Sequence, residues 1–105
     1  MDKDIEVSII SPVFNESENI ETFVSRVFQT MRESGRSWEL IIVDDGSTDG
    51  SRDALKRLSR ERSELRVLVL SKNFGQTPAI QAGFDKARGK YYVTLDSDLQ
   101  NDPKD

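Results

Sequence analysis

Two acidic pairs stand out, Asp44-Asp45 and Asp96-Ser97-Asp98, each directly after a short apolar run. Asp96 and Asp98 are two residues apart. In extended backbone such side chains leave on the same side, so both can reach one ion directly or through water. Gln100 keeps that parity and adds a neutral oxygen. An Asp-x-Asp alone reads equally as a solvated loop with a helix cap; at the end of a buried strand it reads as a metal site. The chain has no His and no Cys. That removes the imidazole base, the thiol nucleophile, the zinc–thiolate site and the disulfide scaffold, and leaves an all-oxygen site for a hard divalent ion. Asp44 and Asp45 are adjacent and so point in different directions. One can hydrogen-bond its own turn, with Gly46 allowing positive φ, while the other accepts hydrogen bonds from a nucleotide base or ribose. On spacing alone, two turn formers is an equal reading. A third polar cluster, Pro12-Val13-Phe14-Asn15-Glu16, offers Phe14 as a ring to lie beside a base, although a lone aromatic is more often core.

These clusters need elements to hold them. Ile5 to Val13 is a β-branched run ended by Pro12 and Asn15, a buried strand. Asn15 and Glu18 are spaced as a capping box. After them Ile20, Phe23, Val24, Val27, Phe28 and Met31 form the apolar stripe of an amphipathic helix, which Gly35 ends. Trp38 to Val43 is a second strand, apolar enough to be covered on both faces. Ala54, Leu55 and Leu58 mark a second helix and Leu65 to Leu70 a third strand. Thr77 is expected to cap a third helix, with Pro78 at its first position and Ile80, Gly83, Phe84 and Ala87 on its buried face. Tyr91 to Leu95 is a fourth strand. Strand and helix alternate as β-α-β-α-β-α-β, which predicts an α/β fold: an open, mostly parallel sheet with helices on both faces. In such sheets ligands bind outside the carboxyl ends of the strands, where all three polar clusters fall. Converging carboxylates repel one another unless a cation is present. Mg²⁺ with a diphosphate resolves this, since Mg²⁺ typically takes one or two carboxylates plus phosphate oxygens. Lys72, Asn73 and Gly75 precede the third helix, whose N-terminus can favour an anion.

The 105 residues make one domain, 1–105, with 32% charged residues and a net charge of −4. That balance excludes a broad basic field for nucleic acid. No apolar run approaches the ~20 residues that span a bilayer, and no apolar secretory segment follows the charged first residues. Arg52 to Arg66 reads as the solvated face of a helix, with an anionic-membrane contact as the secondary reading. There is no G-x-x-x-x-G-K-[ST] and no G-x-G-x-x-G, which argues against P-loop and dinucleotide sites. A stop soon after the fourth strand, with no helix following, points to a piece of a longer chain.

Four motifs now stand in order: Pro12-Val13-Phe14-Asn15-Glu16; Ile42-Val43-Asp44-Asp45-Gly46-Ser47-Thr48-Asp49-Gly50-Ser51; Asn73-Phe74-Gly75 with Ala82-Gly83 and Ala87-Arg88-Gly89; and Leu95-Asp96-Ser97-Asp98-Leu99-Gln100. Together they resemble the family-two inverting glycosyltransferases of GT-A fold, over essentially the whole chain. The stretches from Asn73 to Gln76 and from Asp96 to Pro103 look most like the polyprenyl-phosphate branch, which includes dolichyl-phosphate mannosyltransferase-like enzymes. The resemblance implies a site for a nucleotide-sugar, a UDP- or GDP-sugar. Pro12, Phe14 and Glu16 would line its base pocket, and Val43 and Asp45 would contact base and ribose, with Ser97 beside the ribose. Asp96, Asp98 and Gln100 would hold Mg²⁺ or Mn²⁺ and the diphosphate. It also implies a lipid-phosphate acceptor and a parent enzyme at the cytoplasmic face of a membrane. Phe14 stands where Tyr is common, and Ser97 where Ala is frequent. The family's acceptor site, base region and membrane helices would lie beyond Asp105. No general base is therefore named, and this piece alone is expected to transfer no sugar.

Other readings fit less well. A receiver-like regulatory domain carries its acidic pair after the first strand; here it follows the second. An aspartyl phosphatase places Asp-x-Asp after the first strand; here it follows the fourth. A non-catalytic nucleotide-binding or oligomerisation module is the non-enzymatic alternative.

Overall fold

The computed structural model describes residues 4–97. Strand β1 (Val7–Val13) leads to helix α1 (Ile20–Ser34), β2 (Trp38–Asp44), α2 (Ser51–Glu61), β3 (Leu65–Val69), α3 (Gln76–Lys86) and β4 (Tyr91–Thr94). The four strands form one parallel sheet in the spatial order β3-β2-β1-β4. The chain order is the alternation expected from the sequence. Because every pairing is parallel, the carboxyl ends of all the strands share one rim, and β4 lies on the side of β1 away from β2.

Strand parity divides the core. Ile9, Val13, Leu40 and Ile42 face α1 and α2 and pack on Phe23, Val24, Phe28, Leu55 and Leu58. Ile10, Ile41 and Val43 face the opposite way, onto α3. Every residue of β2 is buried, as its near-continuous apolar sequence requires. The α1 stripe is buried from Ile20 to Phe28, with Met31 partly covered. Gly35 terminates it in the left-handed conformation at φ 73°. Phe28 meets Trp38 edge to face, with ring centroids 4.6 Å apart.

The structure corrects four local expectations. Asn15 and Glu18 form no capping box: α1 starts after Asn19 with no side-chain cap, and Asn15 turns its side chain to the β2–α2 loop. Helix α3 starts at Gln76 after Gly75, not at a Thr77 cap, so Pro78 is its third residue; this is still in the first turn, where a missing N–H costs nothing. Its buried face is Ala79 and Gly83, flanked by Ala82, Phe84 and Ala87, and Ile80 is not part of that cluster. Small residues are needed there, because a Cβ on Gly83 would lie 2.5 Å from Ile10 Cγ2. Finally, β4 is not buried. Among the described residues it is an edge strand of the sheet, with all its residues exposed.

The end of the sheet remote from the rim is fastened by a buried carboxylate that sequence patterning does not reveal. Glu39 on β2 accepts hydrogen bonds from Ser8 Oγ at 2.6 Å, Arg66 Nη1 at 2.9 Å and the Arg88 amide at 2.7 Å. Ser8 Oγ in turn accepts from the Gly89 amide at 2.8 Å, and Arg66 donates to the Lys86 carbonyl at 2.8 Å. One carboxylate thus ties β1, β2, β3 and the α3–β4 turn. Burial pushes the Glu39 carboxyl up, but the bonds from Ser8, Arg88 and Arg66, with the Arg66 charge, outweigh it and hold it below 4.5.

Two stability outcomes follow. Glu39→Gln is expected to cost about 3 kcal/mol at neutral pH in urea unfolding, the low end for a broken buried pair because the Arg66 side chain is 27% exposed. A carboxyl with a lowered folded pKa stabilises fully above its unfolded value and loses that as pH falls through the folded one. The gap between wild type and variant therefore narrows below the unfolded value of 4.5; a gap unchanged by acid would contradict this account. Ser11 is fully buried, and its Oγ has no hydrogen-bond partner among the described residues. Ser11→Ala removes an unsatisfied hydroxyl and should raise stability by about 1 kcal/mol, read as a higher urea midpoint.

Candidate functional site

A cavity of about 260 Å³ opens at the rim, lined by Pro12 and Val13 at the end of β1, Phe14 and Glu16 after it, Asp45 after β2, Asn73 and Gly75 before α3, Gln76 at the start of α3, and Asp96 and Ser97 after β4. It is slightly below the ~300–1,000 Å³ of small-molecule pockets. The sheet topology is the cause of this convergence. β1 lies between β2 and β4, and so the ends of these strands must border a common space.

The acidic turn after β2 divides its labour, and not as a cation would require. Asp44 is fully buried. Its Oδ1 accepts from the Ser47 amide at 3.0 Å and its Oδ2 from Arg52 Nε at 3.1 Å, so it is the turn former of the pair. Asp45 borders the cavity but is not free. Its carboxylate accepts from Asn73 Nδ2 at 3.0 Å, the Phe74 amide at 2.8 Å and the Gly75 amide at 3.0 Å. A carboxylate offers about four acceptor positions, so roughly one is left to a ligand. The anion drawn to the N-terminus of α3 is therefore the protein's own Asp45, which corrects the expectation that Lys72, Asn73 and Gly75 await an external one. At Asp44 and Asp45 the carboxylates are met by N–H donors. Among the described residues no group of three acidic side chains is placed to hold a metal.

The remaining polar residues of this turn are fasteners. The Asn15 and Glu16 amides donate to Ser47 Oγ at 2.9 Å and Ser51 Oγ at 2.8 Å, and the Ser17 amide to Asp49 Oδ2 at 3.2 Å. Asn15 Oδ1 accepts from the Thr48 and Asp49 amides at 2.8 and 3.3 Å. Asn15 adopts φ 54° to do this, a conformation Asn takes more readily than other residues with a side chain. Slight desolvation raises the Asp49 pKa, but bonds from Ser51 and Ser17 dominate and lower it to about 2. The β1–α1 and β2–α2 loops are thus stitched together, and Phe14 is held at the cavity, 45% exposed.

Of the residues singled out from sequence, Pro12, Phe14, Glu16, Asp45, Asp96 and Ser97 border the cavity. Ser97 is buried and its hydroxyl donates to the Pro12 carbonyl at a long 3.4 Å. The Val43 side chain is fully buried beneath α3 with Ile10 and Ala79, away from the cavity surface. Asp98 and Gln100 lie outside the described residues. Gln76 is a lining residue that sequence reading missed; its signal was its place directly before Thr77-Pro78, at the mouth of a helix.

An open parallel sheet with its cleft at the switch between β1 and β4, floored by a carboxylate and flanked by an aromatic ring, is an α/β layout whose ligands enter outside the carboxyl ends of the strands. The family model "Glycosyl transferase family 2" matches residues 8–105, and the chain belongs to that family. It is 50% identical over 102 residues to the dodecaprenyl-phosphate galacturonate synthase of Rhizobium johnstonii, covering 96% of this chain and 30% of that protein. It is 40% identical over 100 residues to an undecaprenyl-phosphate 4-deoxy-4-formamido-L-arabinose transferase of Pectobacterium carotovorum, covering 94% of this chain and 31% of that one. The chain thus spans under a third of the length of these relatives. Among solved structures, the mannosyltransferase PcManGT of Pyrobaculum calidifontis in complex with GDP-Man and Mn²⁺ superposes with a TM-score of 0.77 at 25% identity, over 91% of this chain and 28% of that one. S. aureus TarS 1-349 in complex with UDP shares the fold, with a TM-score of 0.75 at 24% identity over 90% of this chain and 28% of its own. The architecture is that of the GT-A glycosyltransferases.

Gly46 bears on the site most directly. Its φ is +81°, and a Cβ there would lie 2.5 Å from Lys72 C and Asn73 N. Gly46→Ala should cost at least about 2 kcal/mol, from left-handed strain and overpacking together. Urea unfolding checks this, and an unchanged midpoint would refute the close approach of the two loops.

Proposed function

We propose that this chain is the donor-binding part of an inverting glycosyltransferase that moves a sugar from a UDP- or GDP-sugar to a polyprenyl phosphate. The observation that carries the reading is the cavity at the carboxyl ends of β1, β2 and β4, where Phe14, Glu16, Asp45 and Asp96 meet. Phe14 gives a base an exposed face. Asp45, already held by Asn73 and the α3 amides, presents its remaining acceptor capacity to an N–H of the base or a ribose hydroxyl. The diphosphate then lies toward Asp96. Names of relatives support the acceptor class: two act on dodecaprenyl or undecaprenyl phosphate. The donor class is supported by the structures bound to GDP-Man and UDP.

A divalent ion fits the oxygen chemistry at Asp96, which lies at the cavity; Asp98 and Gln100 would complete its ligands. Mn²⁺ accompanies GDP-Man in the Pyrobaculum enzyme. Bound at this point, Mg²⁺ or Mn²⁺ offsets the negative charge that grows on the leaving diphosphate. An acceptor phosphate oxygen attacks the anomeric carbon as the bond to the diphosphate breaks on the opposite side, which inverts the centre. A lipid phosphate is already anionic and so demands little of a general base. No helix among the described residues is long and apolar enough to cross a membrane. A polyprenyl-phosphate acceptor would place the complete enzyme at the cytoplasmic face of a membrane.

Calorimetry with UDP and with GDP, each with and without Mn²⁺, tests the reading. Heat that depends on Mn²⁺ is expected. Asp96→Ala and Asp98→Ala should each weaken binding roughly tenfold or more, about 1.4 kcal/mol. Equal heats for wild type and both variants would sink the metal–diphosphate assignment.

A further inference from the structure

The two oxygens of Asp45 are unequally engaged. Oδ2 accepts from Asn73 Nδ2 and from the Gly75 amide, both at 3.0 Å, whereas Oδ1 accepts from the Phe74 amide at 2.8 Å. A carboxylate oxygen has two lone pairs. Oδ2 is therefore full and Oδ1 keeps one position. Any further contact can fill that position but cannot add to it, so one acceptor is the most that Asp45 offers a ligand. Turning the carboxylate to present both oxygens would break its bonds to Asn73 and Gly75. Asn73 is the donor on which the count depends. Its amide is also anchored to the Asp45 carbonyl at 3.1 Å, and it is the one side chain among the three donors, the other two being backbone.

We infer that the site selects a UDP-sugar over a GDP-sugar, and that Asn73 sets the choice by filling Asp45 Oδ2; the inference rests on the donor-site reading given above. Guanine presents N1–H and the 2-amino N–H side by side, and it pairs with a carboxylate through both oxygens, one bond to each. Asp45 can meet only one of the two. The other gives up its bond to water with no replacement, which costs roughly tenfold or more in affinity. Uracil has a single N–H, at N3, and one acceptor position satisfies it. Its flanking carbonyls require donors, and Gln76, which lines the same cavity, carries an amide N–H for one of them. Adenine and cytosine set a ring-nitrogen lone pair where uracil has N3–H, and a carboxylate repels it. A site that lacks a bonding partner for a group of the wrong ligand discriminates more sharply than one that merely fits the right shape.

Calorimetry of the 105-residue chain in Mn²⁺ with UDP, GDP and inosine diphosphate tests this. Inosine diphosphate is GDP without the 2-amino group, so it keeps the size of the purine but offers one N–H. UDP and inosine diphosphate are each expected to bind roughly tenfold tighter than GDP. Asn73→Ala opens a second position, on Oδ2, and should move the UDP-over-GDP ratio toward one, whereas a general loosening of the loop would weaken both nucleotides alike and leave the ratio unchanged. GDP bound as tightly as UDP, or as tightly as inosine diphosphate, would overturn the inference while the donor-site reading stands. A ratio unmoved by Asn73→Ala would overturn the part given to Asn73. Binding of none of the three would overturn the donor-site reading and this inference with it. The comparison of inosine diphosphate with GDP needs no variant, so it decides even where Asn73→Ala does not fold.

Discussion

Two neighbouring carboxylates at the end of the central strand are almost completely removed from water: Asp44 is 0% and Asp45 3% exposed. Burying a charge without partners costs several kcal/mol, so donors must be brought to them. Those donors come from separate pieces of chain: the Ser47 amide, the Arg52 side chain on α2, and the Asn73–Gly75 segment before α3. Meeting that demand fixes the height of the β2–α2 loop, the start of α2 and the entry into α3. Gly46 is the point where two of these pieces touch, with no space left for a side chain. The cleft has its shape because electrostatic demand at its floor orders its walls.

The layer architecture was legible in the sequence because it rests on periodicity. The stripe from Ile20 to Phe28 and the apolar run from Leu40 to Val43 in β2 each have one economical solution, and the structure adopts it. The shared rim was legible for the same reason, as parallel strands joined by helices put all their carboxyl ends together. Roles within the polar motifs were not legible. Asn15 and Glu18 satisfy the spacing of a capping box, yet Asn15 gains more by bonding the Thr48 and Asp49 amides across to another loop. Spacing is local, whereas that partner is more than thirty residues away. Spacing left two equal readings of Asp44 and Asp45, two turn formers or one turn former beside one ligand-facing residue, and neither reading contained the donors that occupy Asp45.

Glu39 shows the same boundary between pattern and partner. A lone acidic residue in an apolar run is easily taken for an interruption of the strand. Its meaning depends on Ser8, Arg66 and the Arg88 amide, which belong to other elements. The domain therefore has a polar fastening at each end of the sheet: one at the remote end joining strands, one at the rim joining loops. The apolar layers between them supply most of the burial but leave the loop heights undetermined.

The strand order has a consequence for how the chain is made. β1 leaves the ribosome before the other strands of this sheet, yet one of its edges is closed only by β4, and the bond from the Gly89 amide to Ser8 Oγ spans 81 residues. Contacts so distant in sequence form late, because a long loop must close before they repay its entropy. During vectorial synthesis β1, β2 and β3 can assemble with α1 and α2 while the β4 side stays open. The cleft, which needs Asp96 and Ser97 from the far end of that side, is accordingly the last part of the described domain to come into being.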